Sequence, residues 1–114
     1  QRFKPNPHFF YNLLTATCAE GLVRESKLYY GLMRDMGFVA NHRVFQCMVE
    51  MYMEAGNVVE ALMVFEDTHQ AGYKPKDPLA NKLTYTCMRY GEPELMHKAL
   101  DLLQLTGNAV VRGL

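Results

Sequence analysis

Glycines recur in this chain at a fixed spacing of 35 residues, and no other feature constrains its fold as strongly. Six of the eight glycines belong to two series, Gly21, Gly56 and Gly91 in one and Gly37, Gly72 and Gly107 in the other. Other side chains keep the same step, namely Phe10 and Phe45, Leu13, Met48 and Leu83, and Glu25 and Glu60. A period of this length is typical of stacked repeat proteins. The spacing therefore predicts three consecutive copies of one structural unit.

The middle copy, His42–Lys76, shows what one unit contains. Its apolar residues follow the i, i+3, i+4, i+7 spacing of one helix face twice, at Phe45, Met48, Val49 and Tyr52 and then at Val58, Ala61, Leu62 and Phe65. The pattern predicts two amphipathic helices, Val44–Glu54 and Val58–His69, joined by residues 55–57. No stretch of the chain sustains the period-2 alternation of a strand. Each unit is therefore expected to be a helical hairpin.

Short-range signals mark the ends of these helices. Asn57, with Glu60 three residues later, predicts a side-chain cap on the second helix of the middle copy together with its reciprocal partner. Gly72 and Pro75 predict the end of that helix. In the other copies, a polar side chain followed by proline predicts helix starts at Asn6-Pro7, Asp77-Pro78 and Glu92-Pro93.

The predicted fold is all-α, an α-solenoid of three tandem helix-turn-helix repeats in a single domain over residues 1–114. The repeats are expected at about residues 7–41, 42–76 and 77–111. In the first, one helix runs to about Glu20 and the next from about Leu22 to Met36. Residues 108–114 are either the start of a fourth unit or a frayed end. The end units lack obvious polar caps, so dimerisation through the ends of the solenoid is open.

Charge and composition limit the function classes. Twelve basic residues balance twelve acidic ones. This neutral charge counts against nucleic-acid binding that depends on electrostatic attraction alone. No apolar run approaches the roughly 18 residues of a membrane-spanning helix. Because the chain begins at Gln1 without an initiator methionine, we expect a piece of a longer protein, from which a targeting peptide could have been lost.

No motif for catalysis, metal binding or a cofactor stands out, and we expect this segment not to be an enzyme. The cysteines Cys18, Cys47 and Cys87 are odd in number and lack C-x-x-C spacing, which fits a reducing compartment and small buried side chains rather than a disulfide framework or a metal site. The four histidines form no HxxxH or HExxH pattern. Several methionines on the first helices are predicted to fill the core, namely Met48, Met51, Met53 and Met88.

The middle copy resembles a pentatricopeptide repeat of the 35-residue P type. The resemblance rests on the early aromatic Phe45, the Ala55-Gly56 turn, Glu60-Ala61-Leu62 at the start of the second helix, Phe65-Glu66, and the closing Gly72-x-x-Pro75. The other copies match in spacing and more loosely in sequence. By resemblance, the chain forms a right-handed superhelix whose first helices line a concave groove for single-stranded RNA, with one base read per repeat. The family works mainly in the mitochondrion or the chloroplast, in transcript stability, splicing, editing or translation.

The resemblance also implies which side chains contact RNA. The base-reading positions lie on the first turn of each first helix and at the last residue of the unit, and they are Tyr11 with Asn41, Gln46 with Lys76, and Asn81 with Val111. Of these, only Asn81 and Asn41 are typical of the family, and they belong to different units. Stacking or phosphate contacts are expected from His8, Arg43, Tyr85 and Arg89.

The sequence is therefore consistent with two functions. The first is single-stranded RNA binding that supports RNA processing in an organelle. The second is a protein–protein interaction scaffold within an organellar complex, such as a ribosome or an RNA-processing assembly. Glu50 and Glu54, which are expected on the groove and oppose a phosphate backbone, favour the second, as do the net charge of zero and the atypical base-reading pairs. The family resemblance favours the first.

Overall fold

The computed structural model describes residues 6–90 and 92–107, and within them the chain forms six α-helices and no strand. The helices are α1 (Pro7–Ala19), α2 (Val23–Asp35), α3 (His42–Glu54), α4 (Val58–Gln70), α5 (Asp77–Arg89) and α6 (Pro93–Thr106). They pair into three hairpins, α1–α2, α3–α4 and α5–α6. The first helices start 35 residues apart, and so do the second helices. The predicted all-α repeat fold is confirmed.

Asparagine side chains cap the first helices of the first two hairpins. Asn6 Oδ1 accepts a hydrogen bond from the Phe9 backbone N–H at 3.0 Å, and Asn41 Oδ1 accepts one from the Val44 N–H at 2.9 Å. Each bond satisfies a donor that has no partner within its own helix. Because Asn41 is the cap, α3 starts at His42, two residues before its predicted start.

Two predicted caps are absent. Asn57 precedes α4, but its side chain makes no capping bond, and Glu60 lies 3.5 Å from Lys27 Nζ in the first hairpin instead. Helix α5 starts one residue early, so that Lys76 occupies the cap position and Asp77 the first helical position, and the Lys76 side chain forms no capping bond. In the first case, an ionic partner in a neighbouring hairpin has replaced the local partner expected from sequence.

The chain turns sharply at five glycines of the two series, each with a left-handed backbone. Gly56, with φ of +77°, is the most constrained because a Cβ added there would lie 3.0 Å from the hydroxyl oxygen of Tyr90. Glycine is favoured at such φ values because it has no Cβ to clash with the backbone. The Tyr90 side chain therefore packs against the turn between α3 and α4.

The first helices α1, α3 and α5 pack side by side, and the second helices lie behind them. The core runs between these two layers, and its most deeply buried large side chains are Leu14, Met33, Met48, Leu62, Phe65, Leu83 and Leu103. Buried polar groups find partners, as where the Ser26 hydroxyl donates to Thr17 Oγ1 at 2.8 Å. No buried side-chain nitrogen or oxygen among the described residues lacks a hydrogen-bond partner.

The two junctions between hairpins use different chemistry behind the first-helix layer. Between the first and second hairpins, α2 and α4 are joined by polar side chains, since Tyr30 and Arg34 both contact Asp67. Between the second and third hairpins, α4 packs directly on α6, and both helices bury apolar side chains, such as Leu62 on α4 and Leu102 on α6.

One of the four methionine predictions is wrong, and Cys47, also predicted to be buried, is only half-buried. Met48, Met51 and Met53 are buried as predicted, but Met88 is 41% exposed. Cys18 and Met53 stand at the equivalent positions and are covered by the following hairpin, Cys18 by Met48 and Met53 by Thr86. Within the described residues no hairpin follows α6, so Met88 has no such cover. None of the helices described has the length and apolar character needed to span a membrane.

Candidate nucleic-acid interface

The candidate site is the exposed surface of α1, α3 and α5, here named the first-helix face. Tyr11, Gln46 and Asn81 occupy equivalent positions on its three helices, and all three side chains are half-buried. Three depressions lie along this face between the C-terminal end of the array and its N-terminal end.

The widest depression, of about 430 Å³, lies on α5 and is named the α5 depression. Asn81, Tyr85 and Arg89 converge there because they are four residues apart on one helix. Tyr85 is 49% exposed. The remaining lining residues are Pro78, Lys82 and Thr86. The site thus combines an amide, an aromatic ring and two cations, the groups used to bind bases and phosphates of single strands.

A second depression, of about 170 Å³, lies between α3 and α5 and is named the α3–α5 depression. It brings together Gln46 and Lys76, the predicted base-reading pair of the second unit. The Gln46 amide donates from Nε2 to Glu50 Oε1 at 3.0 Å. Lys82 and Pro78 line this depression as well as the α5 depression, so the two adjoin. Leu79 completes the lining.

A third depression, of about 280 Å³, lies where α1 meets α3 and is acidic. Glu50 and Glu54 line it together with Cys18 and Cys47. Burial raises the pKa of Cys18 to about 11 and also raises the pKa of Cys47, so both thiols stay protonated near neutral pH. Among residues 6–90 and 92–107, no three His, Cys, Asp or Glu side chains lie together as metal ligands.

Two predicted base-reading groups are already engaged within the protein. The Tyr11 hydroxyl donates to the backbone carbonyl of Val39 at 2.7 Å, in the loop that leads to the next hairpin. The Asn41 carbonyl oxygen accepts the capping bond of α3. Tyr11 keeps its ring, which meets His8 edge-on at 5.7 Å between centroids, and Asn41 keeps its amide N–H groups.

The remaining predicted residues lie apart from the depressions or outside the described structure. Arg43 is exposed near the start of α3 and does not line any of these three depressions, and His8 is exposed at the start of α1. Val111 lies outside the described residues. The structure therefore groups Asn81 with Tyr85 and Arg89, and Gln46 with Lys76, but places His8 and Arg43 in none of the three depressions.

Among the side chains that line the three depressions, charge is segregated. Lys76, Lys82 and Arg89 lie on α5 or just before it, whereas Glu50 and Glu54 lie on α3. Sequence reasoning missed Lys82. The position of Lys82 in the sequence would have placed it on the same side of α5 as Pro78 and Arg89. It comes four residues after Pro78 and seven before Arg89, and side chains at such intervals share one side of a helix.

Comparison with known proteins finds relatives that resemble this array in sequence and in fold. No family model matches the chain. A pentatricopeptide repeat-containing protein of Arabidopsis thaliana is 35% identical over 98 residues, which cover 83% of this chain and 17% of the relative. The chloroplastic protein CRR2 of the same plant is 30% identical over 96 residues, 83% of this chain and 14% of the relative.

A third relative from Arabidopsis thaliana, a pentatricopeptide repeat-containing protein whose name places it in the mitochondrion, is 36% identical over 64 residues, 55% of this chain and 9% of the relative. The chain thus spans less than a fifth of the length of these three relatives. The crystal structure of the pentatricopeptide repeat protein PPR10 from maize superposes with a TM-score of 0.76 at 19% identity, covering 96% of this chain and 16% of that one. Sequence and fold agree, and the chain belongs to the pentatricopeptide repeat family.

Proposed function

We propose that this chain binds single-stranded RNA across the first-helix face, with the α5 depression as the principal contact. The observation that carries the proposal is the convergence of Asn81, Tyr85 and Arg89 in one depression, with Lys82 beside them. The resemblance to the pentatricopeptide repeat family supports the choice of RNA as the ligand.

Each of these side chains has a distinct part in the proposed contact. The exposed Tyr85 ring offers a face for one base, and such stacking is worth about 1–3 kcal/mol per base. Asn81 presents both an amide donor and a carbonyl acceptor to a base edge. Arg89 and Lys82 supply positive charge for the phosphates that flank the stacked base.

The first hairpin contributes less to the proposed contact. The Tyr11 hydroxyl and the Asn41 carbonyl oxygen already have partners in the protein, so Tyr11 contributes its ring and Asn41 its amide N–H groups. His8 and Arg43, which line none of the three depressions, are proposed to meet phosphates rather than bases. A contribution from Val111 stays a prediction.

Measuring the affinity of a fluorescent single-stranded RNA by anisotropy tests the proposal. We expect Tyr85→Ala and Arg89→Glu each to weaken binding at low salt. Arg24→Glu is the matched control, because it makes the same charge change at an exposed site on α2. Equal losses for Arg89→Glu and Arg24→Glu, or no loss for either variant of the α5 depression, would contradict the proposal.

The cellular role proposed for this RNA binding is processing of transcripts in an organelle, through stability, splicing, editing or translation. Support comes from the family and from two relatives, whose names place one in the mitochondrion and one in the chloroplast. The test is to fuse the full-length protein to a fluorescent reporter and to sequence the RNA that cross-links to it. Nuclear or cytosolic fluorescence, or cross-links only to cytosolic transcripts, would contradict this role.

A second candidate function, a scaffold for protein partners, is favoured by one observation. The α1–α3 end of the first-helix face carries Glu50 and Glu54 and suits a basic protein segment better than a phosphate backbone. Partners retained by the purified protein after nuclease treatment, and lost on Glu50→Lys, would support this function. If nuclease removes every partner, RNA binding alone accounts for the retention.

A further inference from the structure

Lys76 differs from its counterparts at the same position of the repeat. Asn6 and Asn41 each use the side-chain oxygen to cap the helix that follows. Lys76 stands at the cap position of α5 and makes no such bond, because an ammonium group has donors and no acceptor. Its side chain is exposed and lines the α3–α5 depression beside Lys82. A structural cap has thus been exchanged for a positive charge on the first-helix face.

We propose that the α3–α5 depression is a subsite for a phosphodiester group of the RNA, held by Lys76 and Lys82. In this arrangement Lys76 and Lys82 bind the strand without reading its sequence. The inference rests on the proposed RNA binding and adds an assignment of roles, because it moves Lys76 from base recognition to phosphate binding and brings in Lys82.

The chemistry of the pair Gln46 and Lys76 supports a phosphate contact. One of the two N–H groups of the Gln46 amide already donates to Glu50, which leaves the other N–H available to donate to a phosphate oxygen. Lys76 supplies a flexible point charge rather than a directional pattern of donors and acceptors. A phosphate accepts hydrogen bonds from any direction, so it suits such a group better than a base edge does.

The position of Lys82 supports the same assignment. Lys82 lies in the wall shared by the α3–α5 depression and the α5 depression. A strand that stacks a base on Tyr85 would therefore pass its next phosphate beside Lys82. The residues that line the α3–α5 depression include two lysines and one carboxylate, Glu50, so the lining carries a net positive charge. The two depressions form one track of alternating base and phosphate contacts.

Four fluorescent homopolymers of the same length, made of U, C, A or G, test the subsite with the full chain across a salt series. We expect Lys76→Gln and Lys82→Gln each to weaken binding to all four RNAs by a similar factor. The slope of log affinity against log salt should become shallower by about 0.7 for each lysine removed. Lys76→Arg, which keeps the charge, should retain most of the affinity. Lys98→Gln, exposed on α6, is the matched control and should change neither quantity.

Other outcomes overturn the subsite in distinguishable ways. If Lys76→Gln weakens binding to one homopolymer only and leaves the salt slope unchanged, Lys76 reads a base. If the unmodified chain binds RNA while both lysine variants bind as tightly as it does, the subsite is wrong and the proposed function stands. If the unmodified chain binds none of the four RNAs, the proposed function fails and the subsite fails with it.

Discussion

The Tyr30 hydroxyl donates a hydrogen bond to Asp67 Oδ2 at 2.9 Å, and so ties the first hairpin to the second across the α2–α4 junction. Arg34 Nη1 reaches the same oxygen at 3.0 Å, and its guanidinium lies 5.7 Å from the centre of the Tyr30 ring. Burial, reinforced by the Asp67 carboxylate, raises the pKa of Tyr30 well above its ordinary value. One carboxylate on α4 therefore holds two side chains of α2, beside the separate Lys27–Glu60 ion pair of the same junction.

Replacing Asp67 should destabilise the fold. Asp67→Ala leaves the nearly buried Tyr30 hydroxyl without its charged acceptor, which costs about 1–3 kcal/mol of unfolding free energy. Urea denaturation followed by circular dichroism measures this loss. Asp101→Ala, at an exposed site on α6, is the matched control and should cost less. If the two variants lose the same free energy of unfolding, the contact between Asp67 and Tyr30 adds no stability to the fold.

Stability should fall as pH rises above about 9. Burial raises the pKa of Cys87 from 9.0 to about 11, and that of Cys18 from 9.0 to about 11. Between these values the unfolded chain releases a thiol proton that the folded chain keeps, so alkali favours unfolding. Burial likewise raises the pKa of Tyr52 from 10.0 to about 12, which extends the loss to higher pH.

Urea denaturation at pH 8, 9, 10 and 11 measures this dependence. The free energy of unfolding should be nearly flat below pH 9 and should then decline. Cys87→Ala removes one of the titrating thiols, and its curve should therefore be flatter between pH 9 and 11 even though its stability at pH 8 is lower. Parallel curves for the variant and the unmodified chain would contradict the assignment of the decline to Cys87.

Gly56→Ala should destabilise the chain more than Gly72→Ala does. Both glycines have left-handed backbones, where a Cβ costs roughly 1–2 kcal/mol. Only at Gly56 would the new Cβ also press on Tyr90, whereas nothing lies within 4 Å of a Cβ at Gly72. Thermal unfolding of both variants, and of Gly56→Ala combined with Tyr90→Ala, separates the two effects. If Gly72→Ala proves the more destabilising, the contact with Tyr90 does not matter.

Removing acidic charge from the first-helix face should strengthen RNA binding. Glu50→Gln deletes the carboxylate that lines both the acidic depression and the α3–α5 depression, and Glu54→Gln deletes one at the acidic end only. We expect a gain in affinity at low salt that is larger for Glu50, because it lies closer to Lys76 and Lys82. Glu94→Gln on α6 is the control. Weaker binding by Glu50→Gln would instead mean that the Gln46–Glu50 bond positions an RNA contact.

The candidate site was only partly predictable from sequence. The family pattern indicated Asn81, and the stacking and charge of side chains expected on the groove indicated Tyr85 and Arg89; the structure gathers all three in one depression because they lie on one helix. The sequence did not indicate that the Tyr11 hydroxyl would be held by Val39, 28 residues away. Nor did it indicate the place of Lys82 between two depressions, which depends on how α5 lies against α3.

The sequence by itself determined the repeat, the six helices and most of the core. These depend on short-range physics, since apolar residues at helical spacing must be buried together and glycine is favoured where the backbone turns left-handed. Only the tertiary structure decided which partners the polar side chains take, as when Glu60 approaches Lys27 in place of the predicted cap partner Asn57. A polar side chain can bond within its own hairpin or to a neighbouring hairpin. Which of the two bonds forms depends on the distances between side chains, and packing of the hairpins sets those distances.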